Sequence, residues 1–343
     1  MELNATNERL KHRYVAYLRG PRQLGEHSID QALAALNRFE NYTRRRGFPE
    51  FRTEQASSFK KHLATLRTQV GNRNLSKATI TSTLYAMRDF IIWLSKQRGC
   101  RTRLVETDAD YFKPSRRDEA IARAPRPMQI PTIEQIGSMI AAMPATSPVE
   151  RRNRALVAIT IVSGARDNAT ASIRLKHLDL DDRQLFQDAR EMRTKFGKTF
   201  PTWFFPVGED FVTIIADWRH ELEQVHGFGP GDPLFPQTEV AFGTGGEVLP
   251  PRLKRECWAN ADPVRKVFKD ACALAGLPDF KPHSFRHTLA QLGSHLCTTP
   301  AEYKAWSQNL GHDSVLVTLT SYGTLPGYTQ RELIVGIGKR KAA

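Results

Sequence analysis

Residues 111–131, YFKPSRRDEAIARAPRPMQIP, mix prolines and arginines with no sustained apolar period. Helical patterns run up to this stretch and resume after it. It therefore reads as an extended linker dividing the chain into a unit over 1–110 and a unit over 132–343. The total length, 343 residues, also suits two domains better than one.

The first unit reads as a set of short helices. SIDQALAALNRFENYTRRRG, residues 28–47, opens on a serine suited to an N-cap, carries apolar residues at helical spacing and ends in basic residues and a glycine. TEQASSFKKHLATLRTQ and SKATITSTLYAMRDFIIWLSKQRG repeat that grammar. In the last of these, Leu84, Met87, Phe90, Ile91 and Leu94 form the apolar stripe, and Lys77, Arg88, Lys96 and Arg98 supply charge.

Charge is concentrated in the same region. Residues 1–130 hold 25 lysines and arginines against 13 acidic residues, a net +12 of the chain's +14, and the rest holds 25 against 23. A positive field gathered in one part of a chain suits a polyanion, nucleic acid first and an acidic membrane surface second. No stretch approaches the roughly 18 apolar residues that cross a bilayer, and the N-terminus lacks the apolar core of a secretory signal. A cytoplasmic protein without membrane partners is expected. Cys100, Cys257, Cys272 and Cys297 form no CxxC pair, so neither a disulfide framework nor a thiolate metal site is indicated.

The second unit opens with the capped helical stretch PTIEQIGSMIAAMP. RRNRALVAITIVSGA reads as a strongly apolar helix, and RDNATASIRLKHLDLDD as a shorter one. RQLFQDAREMRTKFGKTFPTWFFPV has the turns and aromatic alternation of a small antiparallel sheet. DPVRKVFKDACALAG, HSFRHTLAQLGSHL and AEYKAWSQNLG read as helices. The expected fold class is mainly α, with a small antiparallel β-sheet in the second unit.

Several residues of this unit can carry chemistry. In KPHSFRHTLAQLGSHL, His283 and Arg286 lie three apart on one helical face near its start, an arrangement suited to a phosphate; a structural histidine is the competing reading. His283 and His287 are four apart, but Ser284 stands where a zinc protease would have glutamate, and HELEQVH has the wrong spacing. Arg166 follows a Ser-Gly turn, and Lys195 and Lys198 sit in or beside a strand turn. NLGHDSVLVTLTSYG places Tyr322 ten positions after His312, across a threonine-rich run poor at continuing a helix. FGTGGEV lacks the Gly-Lys-Ser/Thr of a phosphate loop, and no carboxylate set suited to a divalent-ion transposase stands out.

Taken in order, SGAR (Arg166), the first lysine of KFGK (Lys195), HSFRH (His283, Arg286), LGH (His312) and Tyr322 resemble the tyrosine recombinase family of the phage-integrase type. The resemblance covers about 132–330, and the helical first unit is similar to the family's core-binding domain. It implies a two-domain C-shaped clamp on double-stranded DNA, with Lys77, Arg88, Lys96, Arg98 and Lys198 as DNA contacts. It also implies a reaction without metal or cofactor.

Tyr322 would attack a backbone phosphodiester, forming a 3′-phosphotyrosyl bond and releasing a 5′ hydroxyl. Arg166 and Arg286 would clamp the non-bridging oxygens, and His312 would donate a hydrogen bond to them. His283 would assist removal of the phenol proton, and Lys195 would protonate the departing oxygen. Relatives work as tetramers on paired sites, some with accessory DNA-bending or directionality proteins, and lend a C-terminal segment to a neighbour. TQRELIVGIGKRKAA is the candidate segment, docked either in cis or in trans. The absence of an added N-terminal arm-type module points to a simpler Xer-like or mobile-element recombinase.

The sequence departs from the family pattern in places. Ala169 stands where an acidic residue commonly follows the first arginine, with Asp167 and Asn168 nearby. The His-to-Tyr interval is one residue longer than in many relatives. Tyr328 rivals Tyr322, and Lys198 rivals Lys195. A type IB topoisomerase, or a DNA-binding protein of this fold without catalysis, is the alternative.

Overall fold

The computed structural model describes residues 3–68, 71–124, 129–239, 252–320 and 331. The chain forms two compact units, Met1–Arg126 and Pro127–Ala343.

The first unit begins with α1 (Ala5–Arg19), capped by the side chain of Asn4, which accepts from the backbone N–H groups of Thr6 and Asn7. This helix is not among the expected ones: it buries only Asn7, Leu10, Tyr14 and Leu18, a stripe thin enough to pass for a polar tail. The next helix, α2 (Glu26–Tyr42), starts two residues ahead of Ser28, with Gly25 at its cap. It is followed by α3 (Thr53–Thr65) and α4 (Lys77–Ser95), whose start is capped by Ser76. Leu84, Met87, Phe90, Ile91 and Leu94 are all buried, as their spacing requires. An aromatic cluster completes this core; the rings of Phe39 and Phe59 meet edge to face with centroids 5.1 Å apart.

Residues 111–123 differ from the expected extended linker. Phe112 is fully buried in the first unit's core. Ser115 then caps α5 (Arg116–Arg123), accepting from the N–H of Asp118. The prolines that break the pattern occur at 114, 125, 127 and 131, on either side of this helix rather than within it.

The second unit is built around α7 (Pro148–Ser163), which follows α6 (Ile133–Ala141) and is buried on every side from Ala155 to its end. A helix hydrophobic all round belongs in the middle of a domain. It ends at Gly164, whose left-handed φ of 60° closes the helix and turns the chain into α8 (Asp167–Thr170). The expected small sheet is present: β1 (Leu178–Asp179), β2 (Gln184–Gln187) and β3 (Phe200–Trp203) are antiparallel neighbours in that order, with Leu185 opposite Thr202.

An unforeseen helix, α9 (Glu209–Gln224), covers α7 and buries Phe211, Ile215, Trp218 and Leu222. A second antiparallel pair, β4 (Gln237–Glu239) and β5 (Arg252–Lys254), precedes α10 (Asp262–Leu274), α11 (Pro282–Leu296) and α12 (Pro300–Asn309). Last among the described elements is α13 (Val315–Thr320). Its β-branched run was expected to be a poor helix, and burial of Thr318 is the local gain that offsets the weak propensity. No helix of the described residues is long and apolar enough to cross a membrane.

Candidate active site

Arg286 occupies the second turn of α11, where Pro282 starts the helix, and is 5% exposed. Its guanidinium donates from Nη1 to the carbonyl of Gly164 and from Nη2 to the carbonyl of Leu310 at 2.6 Å. One buried cation thereby joins the end of α7, α11 and the turn after α12. Burial, followed by the charge of Arg166, brings its pKa down to about 9, so it remains charged at neutral pH.

Nη2 of Arg286 also stands 3.1 Å from Nε2 of His312. A guanidinium has no acceptor, so Nε2 receives that hydrogen bond and the neutral ring carries its proton on Nδ1. Nδ1 lies 2.7 Å from Oγ1 of Thr318. The ring's pKa falls to about 4, first through burial and then through Arg286, Arg166, Lys198 and His283.

His283, one turn before Arg286 at the start of α11, keeps part of its surface in solvent while the rest is covered by protein, with its ring edge-on to that of His287 at 5.0 Å. Loss of water, then His287, Arg286 and Arg166, lowers its pKa to about 4. Both histidines are therefore neutral bases at neutral pH.

Arg166 is half-buried at the head of α8 and close enough to couple electrostatically with Arg286, His283 and His312. Among the described residues its guanidinium has no hydrogen-bond partner or ion pair. Burial lowers its pKa, while the carboxylate of Asp313 raises it. Asp167 does not face it; that carboxylate accepts from Nε of Arg265 at 2.8 Å. The acidic support that Ala169 cannot supply therefore comes from Asp313, a residue sequence reasoning missed. Its place directly after His312 is the available signal.

The two hairpin lysines are placed differently. Lys198 reaches the cluster: Nζ lies 3.4 Å from the carbonyl of Gly311 and pairs with Asp313. Lys195 is exposed on the tip turn Lys195–Gly197, its Nζ 4.9 Å from the ring centre of Phe196. Phe196 itself is 81% exposed and has a left-handed φ of 62°. Tyr322, Tyr328 and the segment TQRELIVGIGKRKAA, apart from Arg331, lie outside the described residues.

The turn bearing His312 is fixed from the sheet. The side-chain amide of Asn309 accepts from the N–H of Trp203 and donates to its carbonyl, each at 2.8 Å, imitating one more strand residue on β3. Gly311, φ +70°, lies so close to Phe200 that a Cβ would stand 2.5 Å from Cζ of the ring.

On the first unit, Lys77 pairs with Asp118 at 2.6 Å, Arg88 with Asp110 at 3.5 Å and Lys96 with Glu106 at 3.1 Å. These three face the chain segment that follows α4; Arg98 is exposed. Among the described residues no cluster of three or more His, Cys, Asp or Glu side chains is placed to hold a metal ion.

The model of the phage integrase family matches residues 132–325, the stretch that contains every residue of this cluster. The tyrosine recombinase XerC of Xanthomonas axonopodis pv. citri is 24% identical over 318 residues, covering 89% of this chain and 88% of that protein. XerC of Halalkalibacterium halodurans is 23% identical and covers 89% of each chain. Among solved structures, the Tn1549 transposon integrase in complex with transposon right end DNA superposes with a TM-score of 0.62 at 14% identity, over 97% of this chain and 99% of that one. The XerH site-specific recombinase bound to its palindromic difH substrate gives 0.57 at 15% identity, over 96% and 84%. At these identities the structural likenesses show the shared fold.

Proposed function

Because the chain belongs to the phage integrase family and is a tyrosine-type site-specific recombinase, we propose that it breaks and rejoins double-stranded DNA through a 3′-phosphotyrosyl intermediate formed on Tyr322. The observation that carries this reading is the charge balance of the cluster. Arg286 is buried with only neutral partners, and the half-buried Arg166 beside it makes no hydrogen bond or ion pair among the described residues, feeling only the more distant charge of Asp313, which is itself paired with Lys198. Two desolvated cations held together repel each other, and an anion with several oxygens, such as a phosphodiester, relieves both.

In this reading the phenolic oxygen of Tyr322 forms a bond to phosphorus as the bond from phosphorus to the 5′ oxygen breaks. The phenol proton passes to neutral His283. Arg166 and Arg286 hold the non-bridging oxygens as charge grows on them, and His312 donates to one of them. Lys195 delivers a proton to the departing 5′ oxygen. The ammonium of Lys198 is engaged by Asp313, whereas Lys195 sits on an exposed turn with no carboxylate partner among the described residues. Rejoining reverses each transfer, so no ATP or water is consumed.

The basic first unit adds sequence-independent attraction to the duplex. Surface ion pairs such as that of Lys77 with Asp118 are weak enough for phosphates to compete with them. Partners in this reading are paired DNA sites joined by a tetramer, with accessory DNA-bending or directionality proteins.

The test uses nicked suicide duplexes from a randomised pool, which trap the covalent adduct. The wild-type chain should be captured and Tyr322→Phe should not, and peptide mapping should find the nucleotide on Tyr322. Capture on Tyr328, or equal capture by the variant, overturns the assignment.

A further inference from the structure

Behind the ring of His312 lies a pair of hydroxyls for which the proposed reaction has so far given no role. Thr318 is fully buried and Ser307 is 1% exposed. Oγ1 of Thr318 lies 2.7 Å from Nδ1 of His312 and donates to Oγ of Ser307, also at 2.7 Å. Three polar groups thus form a line leading away from Arg286, two of them shut off from water.

The direction of each hydrogen bond in this line is fixed from its outer end. Arg286 can only donate, so Nε2 of His312 accepts, Nδ1 carries the proton and gives it to Thr318, and Thr318 gives its own to Ser307. That tautomer is the wrong one for the proposed reaction. A histidine that donates to a phosphate oxygen must carry its proton on Nε2, the atom facing the arginines.

A hydroxyl has both a proton and lone pairs, and rotating it reverses its part in a hydrogen bond without moving a heavy atom. We propose that Thr318 and Ser307 are positioning residues forming a reversible relay: they accept from Nδ1 of His312 in the DNA-free protein and donate to it when a phosphate occupies the cluster. The change balances as a tautomerisation. Arg286 turns its Nη2 donor to the phosphate, one proton leaves Nδ1 to solvent, one arrives at Nε2 from solvent, and both hydroxyls rotate. The ring stays neutral throughout. A valine at 318 would preserve the shape and remove the function, because it offers Nδ1 nothing in either state.

This inference rests on the recombinase reading for its second state only, so the two fail separately. The experiment follows the imidazole nitrogens of His312 by NMR in ¹⁵N-histidine-labelled full-length protein, alone, with inorganic phosphate, and with the duplex selected by adduct formation. The Nδ1–H tautomer is expected alone and the Nε2–H tautomer with the duplex or phosphate. Thr318→Val should keep the Nδ1–H tautomer that Arg286 sets in the free protein, reach the Nε2–H tautomer less completely with duplex or phosphate, and slow adduct formation by about 10- to 100-fold with duplex binding retained; Thr318→Ser should restore both the switch and the rate.

A tautomer in wild type that does not respond to the duplex or to phosphate overturns the relay, and this measurement needs no variant to fold. Thr318→Val and Thr318→Ser slowed alike would show packing rather than proton direction, and would overturn it too. A chain that forms no adduct on any duplex, yet switches tautomer with phosphate, refutes the recombinase reading and supports the relay.

Discussion

Arg286 and Gly164 are joined across 122 positions of sequence by a hydrogen bond from the guanidinium to the glycine carbonyl. The same side chain binds the carbonyl of Leu310 and Nε2 of His312, so one residue holds three separate segments at the cluster.

Arg286→Lys is therefore not a conservative change. An ammonium on a flexible stem cannot reach all three acceptors in the planar geometry of a guanidinium. Adduct formation on a suicide duplex should fall by about 10²–10³, the usual cost of one oxyanion donor. The two stranded carbonyls should also cost about 1–3 kcal/mol in a urea titration. Activity within tenfold of wild type would mean that this side chain is only a cross-brace.

Gly311→Ala tests the turn from the other side. The new methyl would lie 2.5 Å from Cζ of Phe200, at a left-handed φ of +70°. A loss of about 1–3 kcal/mol is expected. Phe200→Leu removes the atom that clashes, so the double variant should recover part of the loss, a coupling above about 0.5 kcal/mol. Gly137→Ala is the control: it lies inside α6 with nothing within 4 Å of a new Cβ, and should stabilise by about 0.5–1 kcal/mol. Additivity at 311 and 200 would remove the steric account.

These two sites also show what the sequence could reveal. Arg166, His283, Arg286 and His312 are legible because their types and order are unusual, and the structure brings all four into one electrostatic group. The helices with broad apolar stripes, α4, α7, α10 and α11, are legible for the same reason that they are buried. α1 is not, because its charged residues dominate a narrow stripe, and α9 is not, because Asp217, Arg219 and His220 interrupt its apolar spacing around Trp218. The helix at 116–123 is hidden between prolines. Asp313, Asn309 and Ser307 are ordinary polar residues in sequence; only the fold shows that the first faces Arg166, the second pins β3 and the third ends a line of hydroxyls. Such roles depend on contacts that no local pattern encodes.

The hairpin lysines can be separated by the chemistry of the leaving group. A thiolate leaves without a proton, so sulfur in place of the bridging 5′ oxygen removes the need for a general acid. Lys195→Ala should be slow on the oxygen duplex, by about 10²–10⁴, and near wild type on the sulfur duplex. Lys198→Ala should be slowed on both alike, since its ammonium organises Asp313 and the carbonyl of Gly311. Sulfur rescue of the second variant rather than the first would exchange the two roles.

Acid should weaken the second unit in a window set by its neutral histidines. His283 and His312 take up protons near pH 4 in the folded chain and near 6.5 in the unfolded one. Between those values the unfolded state binds more protons, so stability is fully present above about 6.5 and is lost as pH falls towards 4. His177, whose pKa is lowered chiefly by burial, acts with the same sign. Urea midpoints measured from pH 7.5 to 4.5 should decline, and His283→Gln together with His312→Gln should flatten the curve above the range where most carboxylates titrate. Because the shifts of both rings are deepened by Arg166 and Arg286, inorganic phosphate bound between those cations should raise both folded-state pKa values towards 6.5, narrowing the window and making the decline shallower even as it stabilises the fold at pH 7. Phosphate that stabilised the chain at pH 7 and left the decline as steep would bind somewhere other than this cluster.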